Sequence, residues 1–185
     1  MRCEEDVSMV KVAASLILGV CIALLLPSCS PKRAHAGSII LYNPVEYNDF
    51  IVDHQNATIR HMVKLTEAFD SGTEKEIQMQ YAALVNRSDS SVAILKQLSD
   101  YEGDTLLRNA AINLLVFYNQ VFHHEYKEMI DIFLKGDSAT DAEITRLNTI
   151  VEKVRTQEDK LNQQLSVAQE EFAKKFQFEF EAQTP

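Results

Sequence analysis

Tryptophan is absent from the sequence, and aromatic residues make up only 8% of its 185 positions. The 3 cysteines, Cys3, Cys21 and Cys29, all lie near the start, so nothing beyond Cys29 can form a disulfide. An exported domain without thiols is held together by packing alone. Of the 4 prolines, none falls between Pro44 and Pro185, so no helix in that stretch meets a built-in breaker. With only 5 glycines, collagen-like and low-complexity chains are excluded. Positive charge is also scarce: 18 Lys and Arg against 27 Asp and Glu give a net charge of −9. A protein that tracks nucleic-acid phosphates needs a clustered basic excess, so nucleic acid is not an expected partner. Strand-like alternation is confined to Phe176–Phe180, and no repeat of 30–50 residues occurs. The sequence contains neither a G-x-S-x-G elbow nor a glycine-rich phosphate loop.

What is present begins with an apolar run. Val12 to Leu26 carries no charge and follows Lys11. At about 15 residues it is shorter than the roughly 20 that span a bilayer, and it has the length of a signal-peptide core. Arg2 and Lys11 are opposed by Glu4, Glu5 and Asp6, whereas a start at Met9 gives the expected basic flank. The run ends in Leu26-Pro27-Ser28-Cys29, which resembles the lipobox of bacterial lipoproteins. That resemblance implies cleavage before Cys29, a diacylglyceryl group on its sulfur and an acylated amine at the new N-terminus. A competing site is Ala34-His35-Ala36 before Gly37, which has the form used by ordinary signal peptidase. Lys32 and Arg33 stand beside the anchor, where two charges add about 2 kcal/mol against anionic headgroups.

Beyond the tether, helix starts and stops recur. Asn43-Pro44-Val45-Glu46, Thr73 with Glu76, Asp104, and Thr140 with Glu143 read as N-caps, three of them with an acidic residue at the third position. Stops fall at Asp70-Ser71-Gly72, Tyr101-Glu102-Gly103 and Lys135-Gly136. The expectation is an all-α, antiparallel up-down-up-down four-helix bundle. Residues 1–28 form the signal peptide, 29–42 the lipidated cysteine and tether, and 43–185 the bundle. Its helices are expected at about 44–70, 74–99, 105–134 and 141–180. Val45, Val52, Ile59 and Phe69 make the first apolar stripe, shared with Asn48 and Gln55. The last helix repeats Ile144, Leu147, Val151, Val154, Leu161, Leu165, Ala168 and Phe172, interrupted at Glu158. It is the longest of the four, so Phe172, Phe176, Phe178 and Phe180 need a cover, for which Ile39–Tyr42 is placed.

Tyr47 to Gln55, Phe117-Tyr118 and Glu125-Tyr126-Lys127-Glu128 together resemble a family of uncharacterised helical surface lipoproteins of Gram-negative bacteria. The resemblance covers most of the chain after Asn43. It implies fold and location and brings no activity.

Candidate chemistry is sparse. His54 and His61 on the first helix and His123, His124, Glu125 and Glu128 on the third are the residue types that bind iron or zinc. Di-iron bundles repeat Glu-x-x-His, which is missing here, so the groups read as a polar face and no metal or other cofactor is expected. Asp49 and Asp53 share one helix face and read as solvated acids. Asn48 and Gln55 read as buried amides that fix register, with the lining of a small-ligand cavity as the alternative. Asn56-Ala57-Thr58 and Asn86-Arg87-Ser88 match a glycosylation acceptor by chance, being inside helices. Asp104-Thr105-Leu106 and Asp137-Ser138-Ala139 resemble the O-glycan acceptor of some Gram-negative bacteria. The expected function is that of a lipid-anchored envelope protein, held on the lipid bilayer through acylated Cys29. Its domain is a non-catalytic structural, adhesive or partner-binding module facing an unidentified envelope protein, with an outer-membrane address. The alternative is a small-ligand or metal-binding bundle.

Overall fold

The computed structural model describes residues 38–179. The proposed anchor residues Leu26, Pro27, Ser28 and Cys29, the competing site at Ala34–Ala36, and Phe180 lie outside the described residues. Five α-helices follow in order among the described residues: α1 (Pro44–Ser71), α2 (Glu74–Leu95), α3 (Leu106–His123), α4 (Glu125–Phe133) and α5 (Asp141–Phe176), with a 3-10 turn at Gly136–Ser138. Helices α3 and α4 are one rod bent at His124, so the described residues form an all-α arrangement of four rods.

The caps account for the starts. Asn43 Oδ1 accepts hydrogen bonds from the amides of Val45 (2.8 Å) and Glu46 (3.2 Å), and Pro44 occupies the first turn. Thr73 with Glu76 and Thr140 with Glu143 each form a reciprocal capping box. Asp104 Oδ1 accepts from Leu106 N at 2.9 Å at the head of α3. Just before it, Tyr101 and Asp104 exchange backbone hydrogen bonds around Glu102 and Gly103, both at positive φ. Two consecutive positive-φ residues make a tight reversal that favours glycine.

Cross-helix hydrogen bonds give the direction of travel. From α1 to the end of α2, Tyr47 Oη donates to Ser99 O (2.9 Å), and further along Thr58 Oγ1 meets Ser91 Oγ (3.3 Å). Between α2 and α3, Arg108 reaches Leu98 O (3.0 Å) and Tyr81 Oη reaches Phe122 O (2.9 Å). From α3 to α5, Tyr118 Oη donates to Glu158 Oε1 at 2.7 Å, and at α4 Glu128 meets Arg146. In each pair the partner's number falls as the first rises, so successive rods run in opposite senses. All four contribute to one core, whose fully enclosed large side chains include Tyr47, Phe122, Phe172, Leu65 and Leu114.

Several sequence expectations need correction. Helix α2 stops at Leu95 rather than 99, because the next residues turn to pair with the incoming tether. Ile39 N donates to Gln97 O (2.7 Å) and Ser99 N to Ile39 O (2.8 Å). The helix expected over 105–134 is interrupted at His124, at φ −118° and ψ −71°. The apolar 3-4 spacing continues across that bend through Phe122, Tyr126, Met129 and Ile130, so periodicity carries no sign of it. Helix α5 ends at Phe176 rather than 180. Gln177 adopts a left-handed conformation (φ 56°, ψ 48°), and the amides of Gln177 and Phe178 both bond to Ala173 O.

The buried face of α1 also differs from the expected stripe. Val45 is exposed and Val52 and Ile59 are only half-buried, whereas Tyr47, Ile51, Thr58, Met62 and Leu65 are enclosed. This helix packs against both α2 and α5, so its buried arc is wide and centred elsewhere. The expected cover over the phenylalanines is shared. Tyr47 and Tyr101 pack on Phe172 with ring centroids 5.4 and 5.5 Å away, and Phe178 folds back to 5.9 Å. From the tether, Ile39 and Leu41 pack against the core, while Ile40 and Tyr42 face outward.

Candidate functional site

The polar residues singled out from the sequence fall into separate places. His54 lies between α1 and α2, where Arg87 Nη2 sits 3.3 Å from its Nδ1 and the Phe50 ring packs edge-on at 4.8 Å. Burial and the Arg87 charge lower its basicity. His61, two turns further along α1, has a buried Nδ1 without a hydrogen-bond partner. Burial, then Lys64, Arg87 and Arg60, depress it as well. His123, at the end of α3, reaches across to α2, its Nε2 2.9 Å from Asp89 Oδ1, which also accepts from Asn119 at 2.6 Å. Those two hydrogen bonds hold the Asp89 carboxyl below its usual range. His61 and His124 are not assembled with the other candidates into a common site. Among the described residues no group of three or more His, Cys, Asp or Glu side chains has metal-binding geometry.

His124 and Glu128 instead line an open groove of about 570 Å³ between α4 and the start of α5. Arg146 grips Glu128 with two hydrogen bonds, Nε to Oε1 at 2.8 Å and Nη2 to Oε2 at 3.0 Å, and this lowers the Glu128 pKa. Lys153 reaches Glu125 at 3.3 Å and Lys127 reaches Asp131 at 3.2 Å. Lys135 donates to Glu143, which with the Thr140 amide holds that carboxyl down at about 2. Glu128 and Glu143 are thus held in their charged form by Arg146 and Lys135 beside them.

Buried polarity is concentrated elsewhere. Gln169 Nε2 donates to Asn48 Oδ1 at 3.1 Å, joining α5 to α1 in the interior. Gln55 is buried too, at 5% exposure. Glu158, the apparent gap in the α5 seam, is 6% exposed and takes the Tyr118 hydroxyl. Burial raises its pKa, partly offset by that hydrogen bond. Burial and then the Glu158 charge raise the Tyr126 hydroxyl. The sequence reading treated Glu158 only as an interruption. The signal that finds it is a seam position whose heptad neighbours, Val151, Val154, Leu161 and Leu165, are all enclosed.

Of the acceptor-like triplets, Thr58 and Ser88 are fully buried inside the α1–α2 packing. Ser138 and Thr105 are exposed, Ser138 with its hydroxyl donating to Lys135 O at 2.7 Å. Asp49 and Asp53 are both exposed. Among the described residues no helix is long and apolar enough to cross a membrane. No family model, curated protein or solved structure matches the chain.

Proposed function

We propose that this chain is an envelope lipoprotein: Cys29 is acylated and becomes the mature N-terminus, and the helical bundle is displayed from the membrane on the short tether. The bundle then serves as a non-catalytic structural or partner-binding module. The observation that carries this reading is the order of Lys11, the apolar run to Leu26, and Leu26-Pro27-Ser28-Cys29, followed by a domain free of cysteine. Several acyl chains on one cysteine hold a domain firmly, since each buried CH₂ adds about 0.8 kcal/mol.

Intact-mass and N-terminal analysis of the protein from membranes tests the anchor. The expected result is a chain beginning at Cys29 with the mass of attached lipid. A free N-terminus at Gly37 without lipid overturns the proposal and moves the bundle into the surrounding fluid. Fractionation of a Cys29→Ser variant is no substitute, because an uncleaved apolar run also holds the precursor on membranes.

A further inference from the structure

The face shared by α1 and α2 collects positive charge in a chain whose net charge is −9. Five cations elsewhere have carboxylate partners: Lys127 with Asp131, Lys135 with Glu143, Arg146 with Glu128, Lys153 with Glu125 and Lys175 with Asp104. Arg60, Lys64 and Arg87 have none among the described residues. His54, Ala57, His61 and Lys64 follow one another at helical spacing along a single face of α1. Arg87 comes from α2 to meet that face at His54. We propose that His54, Arg60, His61, Lys64 and Arg87 form a binding site for a phosphate-type oxyanion.

Three observations converge on an anion. The half-buried Arg87 donates to His54 but leaves its Nε enclosed without a partner, and His61 Nδ1 is enclosed and unpartnered too. A desolvated donor without an acceptor is costly, and a guanidinium that swings to an oxyanion recovers its hydrogen bonds. Burial lowers the basicity of Arg87, and the neighbouring charge of Arg60 adds a repulsion to it. A bound dianion reverses it. The acid facing the cluster is the exposed Asp53, one charge against the three of Arg60, Lys64 and Arg87. The donors also outnumber the two oxygens of a carboxylate, whereas a phosphate offers three or four acceptors to donors arriving from two helices.

Calorimetric titration of the full-length protein in a nonionic detergent tests the site, with inorganic phosphate in one arm and monomeric dihexanoylphosphatidic acid in the other. The expected result is saturable binding of at least one probe, weakened tenfold or more in Arg87→Gln and unchanged in Lys127→Gln, a cation of the opposite groove. Tighter binding of the short-chain lipid assigns a lipid headgroup, and equal or weaker binding assigns free phosphate; both support the site. The His54 and His61 ring resonances report position, because an anion among the cations raises the pKa of both imidazoles. If Arg87→Gln loses helicity, the exposed Arg60→Gln and Lys64→Gln variants replace it, each with several-fold weakening expected. The proposal is overturned if neither probe saturates, if folded variants bind as the wild type does, or if binding leaves both imidazole titrations unmoved.

Discussion

Glu158 occupies a core position of α5 that a hydrophobic residue would ordinarily fill, and its carboxyl is accepted there because Tyr118 donates to it at 2.7 Å. Burial raises its pKa above the ordinary 4.5, so folding favours the protonated acid. The stability it contributes is fully present below the unfolded-state pKa and is lost as pH rises through the folded-state value. Replacing Glu158 with Gln keeps an acceptor for Tyr118 and removes the charge. Thermal melts are expected to show Glu158→Gln more stable than wild type at pH 7, with the gap closing as pH falls towards 4.5. A gap that stays constant with pH would mean the acid is not titrating in the core. Glu158→Ala is the contrasting case: it removes the hydrogen bond to Tyr118 and opens a void, for a loss of about 1–3 kcal/mol at either pH.

Helix ends were legible where a side chain does the capping, and illegible where tertiary contacts do. Asn43, Thr73 and Thr140 cap through local hydrogen bonds, so three starts could be read from a few adjacent residues. The end of α2 depends on Ile39, far away in sequence, and the end of α5 depends on Phe178 turning back onto Phe172. Neither leaves a local mark. The α1–α2 interface was missed for a different reason: Thr58, Ser88 and Ser91 are each 0% exposed, but they read as polar in a search for apolar stripes. Their hydroxyls find partners across or along the helices, which is what makes them admissible inside. The tether's role follows from the same non-local logic. Deleting Ile39–Tyr42 removes two backbone hydrogen bonds to the α2–α3 connection, the packing of Ile39 and Leu41, and the carbonyl that accepts the Tyr101 hydroxyl at 3.0 Å. A loss of about 2–4 kcal/mol is expected from partial burial and a stranded hydroxyl. Urea unfolding of the full-length protein with and without the four residues measures it, and coincident curves would show the contact to be idle.

Across the whole molecule, the Asn48–Gln169 hydrogen bond joins the first helix to the last across 121 positions of sequence. Asn48 was expected to be a buried register device, and its partner could not be named from the chain because it depends on how the rods are arranged. An apolar core alone tolerates small slips between helices, since one methyl contact substitutes for another. A paired amide does not, because sliding α5 past α1 leaves two polar groups enclosed and unbonded. Removing one partner and removing both therefore have different consequences. Asn48→Ala leaves the Gln169 amide stranded and is expected to cost about 1–3 kcal/mol. Asn48→Leu combined with Gln169→Leu removes the polar pair and is expected to cost less than Asn48→Ala, or to stabilise, while broadening the side-chain NMR spectrum as register becomes less unique. A double-mutant cycle with Asn48→Leu and Gln169→Leu separately gives the coupling between the two sites. Additive effects, together with an unchanged spectrum in the double variant, would show that the pair does not set the register.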